Sequence, residues 1–600
     1  MQKKVAFHFH GYQPGDLVLR EDGPWDEPQR FKERLSPVSL KVGDEVVEGK
    51  NWTQANLRSY VQTKDLFRSI PKGNKISLDI EPFTFQMLLR TDKQAFDDTV
   101  ELLRDKRVKA VDCVMFHPIL PHMDRCERGV LLGATKTFFE AIRKPEITGM
   151  WYPETVYEEN VVMDTLETYK RPFYLIMDRR QFMFPQSDWA FWSLNYIIKD
   201  AIWGFGRNND LSDAFAFGQR SPQELASDII NNKTDFSKEK DEVPYLITMA
   251  SDLESLLSHP TRIENFRALL KELNKAKISV ISHGEFIKKK KSGEFKAFKG
   301  EGGDLDFHLL IKEYSSWSDY FDLARPNTSD TRWTGVKRLD GCVVARDHCQ
   351  QKVSQIWKQA FMLMTQELNE LVRRHTERII RSESESNICD IRALLTDYHR
   401  FIFRDYYIAL GVPKEELDIK TIICSRLKGA CNIKRIALAL RAYYNMLQGN
   451  RSCPRFWENI DTRVTFQSVM FMSYALSDLI KAYAENNDMD AQNQVFTFYQ
   501  DRLLNFENLY LFYNLGMLSG ETGWESSDMA WIRAVQSEIP DISQYNVIKR
   551  AALLVGIRDL PKELLKKVYL SRAEIIADTA HIDGEAHGQW ENPKWCQHKQ

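Results

Sequence analysis

The sequence predicts an α/β chain, with a closed or nearly closed β/α barrel at residues 1–345 followed by an α-helical domain at 346–600. The first three hundred residues alternate short β-rich apolar runs with helical patterns, as parallel strands joined by crossover helices do. So many units in series favour closure over an open sheet. Beyond Gly341 the apolar period changes to that of helices, and 600 residues exceed what one hydrophobic core organises.

Strands are expected at 4–8, 76–81, 110–116, 147–151, 173–178, 201–205, 245–250 and 278–281. Helical periodicity falls between them at 54–67, 96–104, 131–142, 222–230 and 261–274. In the second domain Val353, Ile356, Trp357, Ala360, Met364, Leu368 and Leu371 recur at helix spacing. Similar stretches follow at 391–410, 433–447, 465–484 and 491–515, and the polar run 382–387 reads as a link.

Lysine plus arginine (82) nearly balance aspartate plus glutamate (84), so no global field attracts nucleic acid or an anionic membrane. The basic run at 288–291 lacks interleaved aromatics and reads as a solvated loop. No secretory signal and no apolar run of spanning length is seen, which predicts a soluble, cytoplasmic protein. Nine cysteines without a CxxC pair are expected to be reduced thiols. The 14 Trp, 22 Tyr and 34 Phe serve either core packing or sugar stacking, and composition does not choose.

Active sites of parallel barrels collect at the carboxyl ends of the strands. Here those ends carry His8 and His10, Glu81, His117, Glu154, Asp178, and Asp252 with Glu254. Each alone is explained as a cap or a satisfied polar group. Together, carboxylates and neutral donors on one rim suit glycosidic bond cleavage, in which one carboxylate attacks and another protonates the leaving oxygen. Retaining chemistry requires the two to stand about 5–5.5 Å apart.

The motifs themselves resemble glycoside hydrolase family 57. His8-Phe9-His10-Gly11-Tyr12-Gln13-Pro14 is similar to its first motif, and His117-Pro118-Ile119-Leu120-Pro121 to the segment around its second. Met150-Trp151-Tyr152-Pro153-Glu154-Thr155 resembles the third, and Ala250-Ser251-Asp252-Leu253-Glu254 the fourth. Glu313-Tyr314-Ser315-Ser316-Trp317-Ser318 resembles the stretch after the barrel strands. The resemblance implies an incomplete (β/α)7 TIM-like barrel and a retaining enzyme acting on α-glucans by double displacement, hydrolysing or transferring. Glu154 would be the nucleophile and Asp252 the general acid/base. The substrate-binding set would be His8, His10, Gln13, His117, Trp151, Glu254 and Trp317, with the histidines donating to sugar hydroxyls and the tryptophans stacking on sugar rings. The implied partner is a carbohydrate; no cofactor and no metal are called for.

Two departures stand out. After Glu254 the chain reads Ser255-Leu256-Leu257-Ser258-His259-Pro260, where the family continues with glycine, histidine and two tryptophans, so only His259 is available as a substitute. The second motif's glutamate has Asp112 as its nearest candidate. Two other functions compete. A metal-dependent hydrolase would use His8, His10, His117 and Asp252 as ligands, but leaves the WYPE segment without a role. A non-catalytic glycan-binding barrel would not need both Glu154 and Asp252.

Overall fold

The computed structural model describes residues 3–12, 18–33, 38–49, 60–182, 195–231, 245–304, 311–317 and 357–506, with short internal gaps, and a few positions between 552 and 564. The chain packs as two compact units: Met1–Gly15 with Pro37–Asp319 and Asp405–Val412, and Asp16–Ser36 with Tyr320–Arg404 and Pro413–Gln600.

The first unit is built on strands β1 (Lys3–Gly11), β2 (Ile76–Ile80), β3 (Val108–Cys113), β4 (Thr148–Trp151), β5 (Phe173–Asp178), β6 (Ile202–Arg207) and β7 (Tyr245–Asp252). All seven pair in parallel and in sequence order. β7 returns to β1 in a register running from Lys3↔Tyr245 to His10↔Asp252, which closes the barrel. The last expected strand is reduced to β8 (Ser279–Val280), paired with Lys4 and Val5 of β1, while β2 takes the same strand at His8–Gly11. An antiparallel strand, Asn195–Lys199, flanks β6 and was not expected. The strands read as apolar runs because both faces are covered; all five residues of β2 are buried, Asp79 included.

The helices of this unit are α1 (Thr63–Arg68), α2 (Pro82–Thr91), α3 (Lys93–Arg104), α4 (Arg125–Ile142), α5 (Glu159–Tyr169), α6 (Asn209–Ala216), α7 (Pro222–Asn231), α8 (Leu253–Leu257), α9 (Pro260–Lys275) and α10 (His283–Lys291). Their starts are chemically marked. Asp124 and Glu127 form a capping box on α4, and Glu81 caps α2 with Pro82 in its first turn. The lysines at 288–291 are not a loop: they form the last turn of α10, where cations offset the exposed carbonyl dipoles.

The second unit is helical, with α11 (Trp357–Ser382), α12 (Ile433–Gly449) and α13 (Arg463–Ala484) among its longest described elements. The stretch expected as one helix at 391–410 is divided into Ile388–Asp397, His399–Ile402 and Arg404–Ala409. Buried Asp478 on α13 accepts hydrogen bonds from Arg20 (2.8 Å), Arg441 (2.7 Å) and Asn445 (2.9 Å). Burial alone would raise its pKa; the two guanidiniums outweigh that and hold the carboxyl below its ordinary range. This centre ties the early hairpin Val18–Arg20 and Phe31–Glu33 into the helical unit. Among the described residues no helix is long and apolar enough to cross a membrane.

Candidate active site

At the carboxyl end of β4, Glu154 sits in a tight turn with left-handed backbone (φ 57°, ψ 17°), and Thr155 beside it has φ 53°. Phe116 and His117, just beyond β3, form a second such pair at φ 66° and 52°. Non-glycine residues adopt this conformation at a cost of roughly 1–2 kcal/mol each, so the turns must be held by their surroundings.

The holding groups are identifiable. The Glu81 carboxylate, besides capping α2, accepts the backbone N–H of Phe116 at 2.7 Å. Gln181 donates to the carbonyls of Thr155 (2.9 Å) and Ser315 (2.8 Å), while its oxygen accepts from the Thr155 hydroxyl (3.0 Å) and the backbone of Asp178 (2.7 Å). The Trp317 backbone N–H donates to the Thr155 hydroxyl oxygen at 2.9 Å. The segment at 315–317 is thereby fastened to the turn that carries Glu154.

Glu154 is buried, and the Trp317 indole N–H donates to its Oε2 at 2.9 Å; His117 Nδ1 lies 3.9 Å from Oε1. The indole orients the carboxylate, a use different from the expected sugar stacking. Trp151 has no exposed surface. It stacks on His8 and His10, at 5.0 and 4.8 Å between ring centres, and meets Trp317 edge-on at 5.1 Å. It therefore backs the histidines and offers no face to a sugar. The column continues outward from His10 to His117 (5.2 Å) and Tyr12 (3.9 Å).

The two histidines of β1 share one partner, Asp79 of β2, which is buried. His10 Nδ1 lies 2.7 Å from Asp79 Oδ2 and His8 Nε2 lies 2.8 Å from Oδ1. Burial works to lower the His10 pKa, but Asp79, with Asp252 and Glu254 behind it, overcomes this and raises it to about 9. His8, equally buried, is pushed down by desolvation. Desolvation also opposes ionisation of Asp79, and the neighbouring imidazolium of His10 outweighs it, to about 2. The site therefore holds a charged His10 beside a neutral His8 near neutral pH.

Asp252 ends β7 in register with His10. Its side chain is exposed at the barrel mouth, and desolvation by the surrounding protein raises its pKa against the pull of His10 and Arg207. Half-buried Glu254, in the first turn of α8, accepts a hydrogen bond from the Tyr60 hydroxyl. Arg207 of β6 donates to the Ala250 carbonyl at 2.8 Å and lies 5.5 Å from the Trp317 ring. Asp178 is a structural anchor: it accepts from Arg180 (2.9 Å) and Asn209 (2.6 Å). Asp112, buried against the Tyr169 hydroxyl at 3.0 Å, has its pKa raised by desolvation to about 7. Gln13 and His259 lie outside the described residues.

The ligand set of a metal-dependent hydrolase does not assemble. Among the described residues, the donors that converge are those of His10, Cys113 and His117, all within 4.8 Å of one another, without His8 or Asp252.

The domain described as maltose-forming alpha-amylase-like, N-terminal, matches residues 1–328, and its C-terminal counterpart matches 332–580. The chain belongs to this family. A solved exo-type maltose-forming amylase from Pyrococcus sp. ST04 is similar at 37% identity over 95% of both chains, with a TM-score of 0.83. A 4-alpha-glucanotransferase from Thermococcus litoralis (12% identity, TM-score 0.44, 80% of this chain and 60% of that one) carries no weight beside it. Nor does a GH57-type branching enzyme from Pyrococcus horikoshii (11%, 0.47, 83% and 94%). No curated protein matches the chain. As a member of the maltose-forming α-amylase-like family the protein is a glycoside hydrolase, and its strand-end motifs resemble those of glycoside hydrolase family 57.

Proposed function

We propose that the chain is a retaining α-glucan-active enzyme with Glu154 as nucleophile and Asp252 as general acid/base, the barrel at 1–345 being its catalytic domain. The observation that carries this assignment is the contrast between two carboxyls at strand ends. Glu154 is held in one orientation by the Trp317 indole, while Asp252 is shifted toward its protonated form.

In the first step a Glu154 oxygen bonds to the anomeric carbon as the glycosidic C–O bond breaks, and Asp252 gives its proton to the leaving oxygen. In the second, ionised Asp252 takes a proton from water or from a sugar hydroxyl, whose oxygen displaces Glu154 and restores it. Both captures share the intermediate, so hydrolysis and transfer differ only in the acceptor. His10, charged and anchored by Asp79, serves as a donor to sugar hydroxyls as charge shifts in the transition state. His117 is placed beside Glu154 for the same use. The similar Pyrococcus enzyme is named an exo-type maltose-forming amylase, and maltose released from chain ends is the product proposed here. The free cysteines among the described residues fit a reducing compartment, so a cytoplasmic site of action is part of the proposal.

Product analysis on maltooligosaccharides, amylose and glycogen tests this directly. The expected first product is α-anomeric maltose, seen by NMR before mutarotation. A β-anomeric first product, or no cleavage of any of these glucans, would overturn it.

A further inference from the structure

At the end of the barrel opposite the mouth, a cavity of about 600 Å³ opens among the residues that begin β2 to β5 and the last turns of α3, α4 and α10. Seven lysine and arginine side chains and three glutamates line it. The glutamates are spoken for: Glu285 pairs with Lys75 at 3.0 Å, Glu146 with Lys288 at 2.5 Å and Glu294 with Lys289 at 2.6 Å. The remaining four cations, Arg104, Lys106, Lys109 and Arg143, have no carboxylate at ion-pair distance among the described residues.

Helix ends account for part of this charge. Arg104 closes α3, Arg143 follows α4 and the lysines of α10 face its terminal carbonyls, each interaction being worth about 0.3–1 kcal/mol. They do not account for Lys109. It lies within β3, half-buried, and its pKa is lowered by desolvation first and then by Arg143, Lys75 and Lys288. Arg143 is likewise disfavoured by burial, and its one described hydrogen bond goes to the Val108 carbonyl at 3.2 Å. Two half-buried cations, Lys109 and Arg143, on an open cavity lined by seven cationic side chains against three glutamates form a site that an anion would complete. The volume is far larger than inorganic phosphate needs and falls within the range of about 300–1,000 Å³ typical of small-molecule sites.

We propose that this cavity binds a phosphate-bearing small molecule, a sugar phosphate or a nucleotide, at a site separate from the reacting carboxylates. The shared chemistry is a phosphoryl dianion held by Lys109 and Arg143, with the rest of the ligand along the remaining wall. Calorimetric titration of the full chain with inorganic phosphate, glucose 1-phosphate and ADP, at ionic strength fixed with sodium chloride, tests it and separates the two sources. Saturable binding of glucose 1-phosphate or ADP with Kd below about 1 mM is expected, at least about tenfold tighter than inorganic phosphate. Lys109→Met should weaken that binding about tenfold or more. The double variant Arg104→Gln/Lys106→Gln, at two exposed positions, should weaken it in the same direction without loading the fold. Absence of saturable binding would leave the cations as helix-end counter-charges and overturn the proposal. Equal binding of inorganic phosphate, or binding unchanged in both variants, would overturn it as well.

Discussion

Seven non-glycine residues among those described have left-handed backbone, and they fall into two groups. Lys170, Lys277 and Asn487 are single, exposed residues just past helices. Phe116, His117, Glu154 and Thr155 are buried pairs at the ends of β3 and β4. At a helix end the conformation itself is what is needed, and glycine would provide it at no cost. At the barrel mouth the strained turns are held by Glu81, Gln181 and Thr155, and one of them carries the proposed nucleophile. The same backbone angle thus marks a helix end in one place and the turn of the proposed nucleophile in the other.

The strongest attempt to break this comparison is Glu154→Gln, which keeps the turn and removes the charge. We expect kcat to fall by about 10⁴-fold or more with the melting temperature within about 2 °C of wild type, and no glycosyl-enzyme in intact-mass spectra. Turnover close to wild type would reduce the Glu154 turn to an ordinary one. Asp252→Asn should cost about 10²–10⁴-fold on natural glucans but much less on aryl glycosides, whose leaving groups need little protonation. Because desolvation raises the Asp252 pKa, the wild-type alkaline limb should lie above the ordinary carboxylate range and vanish in the variant. Equal losses on both substrates would remove Asp252 from the acid role.

Trp317→Phe deletes the indole donor to Glu154 while keeping an aromatic ring, and is expected to lower kcat about 10- to 100-fold. An unchanged kcat would separate Glu154 from its holding network. Asp79→Asn addresses stability. The His10 pKa is raised to about 9, so its contribution is complete below about pH 6.5 and is lost as pH rises toward 9. Asp79, lowered to about 2, contributes above about pH 4 and loses its share as pH falls toward 2. Chemical denaturation from pH 4 to 9 should therefore show wild type exceeding the variant most between pH 4 and 6.5, by about 3 kcal/mol, with the gap closing toward pH 9. A gap independent of pH would exclude the charged pair. The smallest effect belongs to the helix-end group: Lys170→Gly should stabilise by about 0.5–1 kcal/mol in the same assay, whereas destabilisation would show that this position too depends on its side chain.

All eight strand positions of the barrel were legible, because strands covered on both faces carry an unmistakable apolar run. Helices α2, α5, α6, α8 and α10 were not anticipated: α2 opens with Pro, Phe and Thr, and its start is visible only as the Glu81-Pro82 cap. The strand-end residues were legible from position and motif, but their partners were not. Asp79 sits mid-strand in Ile76-Ser77-Leu78-Asp79-Ile80, and its role depends on register opposite His10, which sequence does not encode locally. A lone aspartate in an apolar run still signals a buried charge in need of a partner. Tyr60 reaches Glu254 across 194 positions, beyond any local pattern. Trp317 was legible as a site residue, though its use as a hydrogen-bond donor was not.

The two-residue strand β8 has a geometric effect out of proportion to its length. It is wedged against Lys4 and Val5 of β1, and the Val280 carbonyl accepts the N–H of Lys75 just ahead of β2, so eight strands share the perimeter there. By His8 it has dropped out and seven remain. One strand fewer shortens a ring by about 5 Å, so strand count narrows the barrel toward the proposed reacting groups and widens it toward the basic cavity. Growing β8 by a few residues along β1 would splay the narrow rim by one strand spacing and draw β1 and β2 apart, and with them His10 from Asp79.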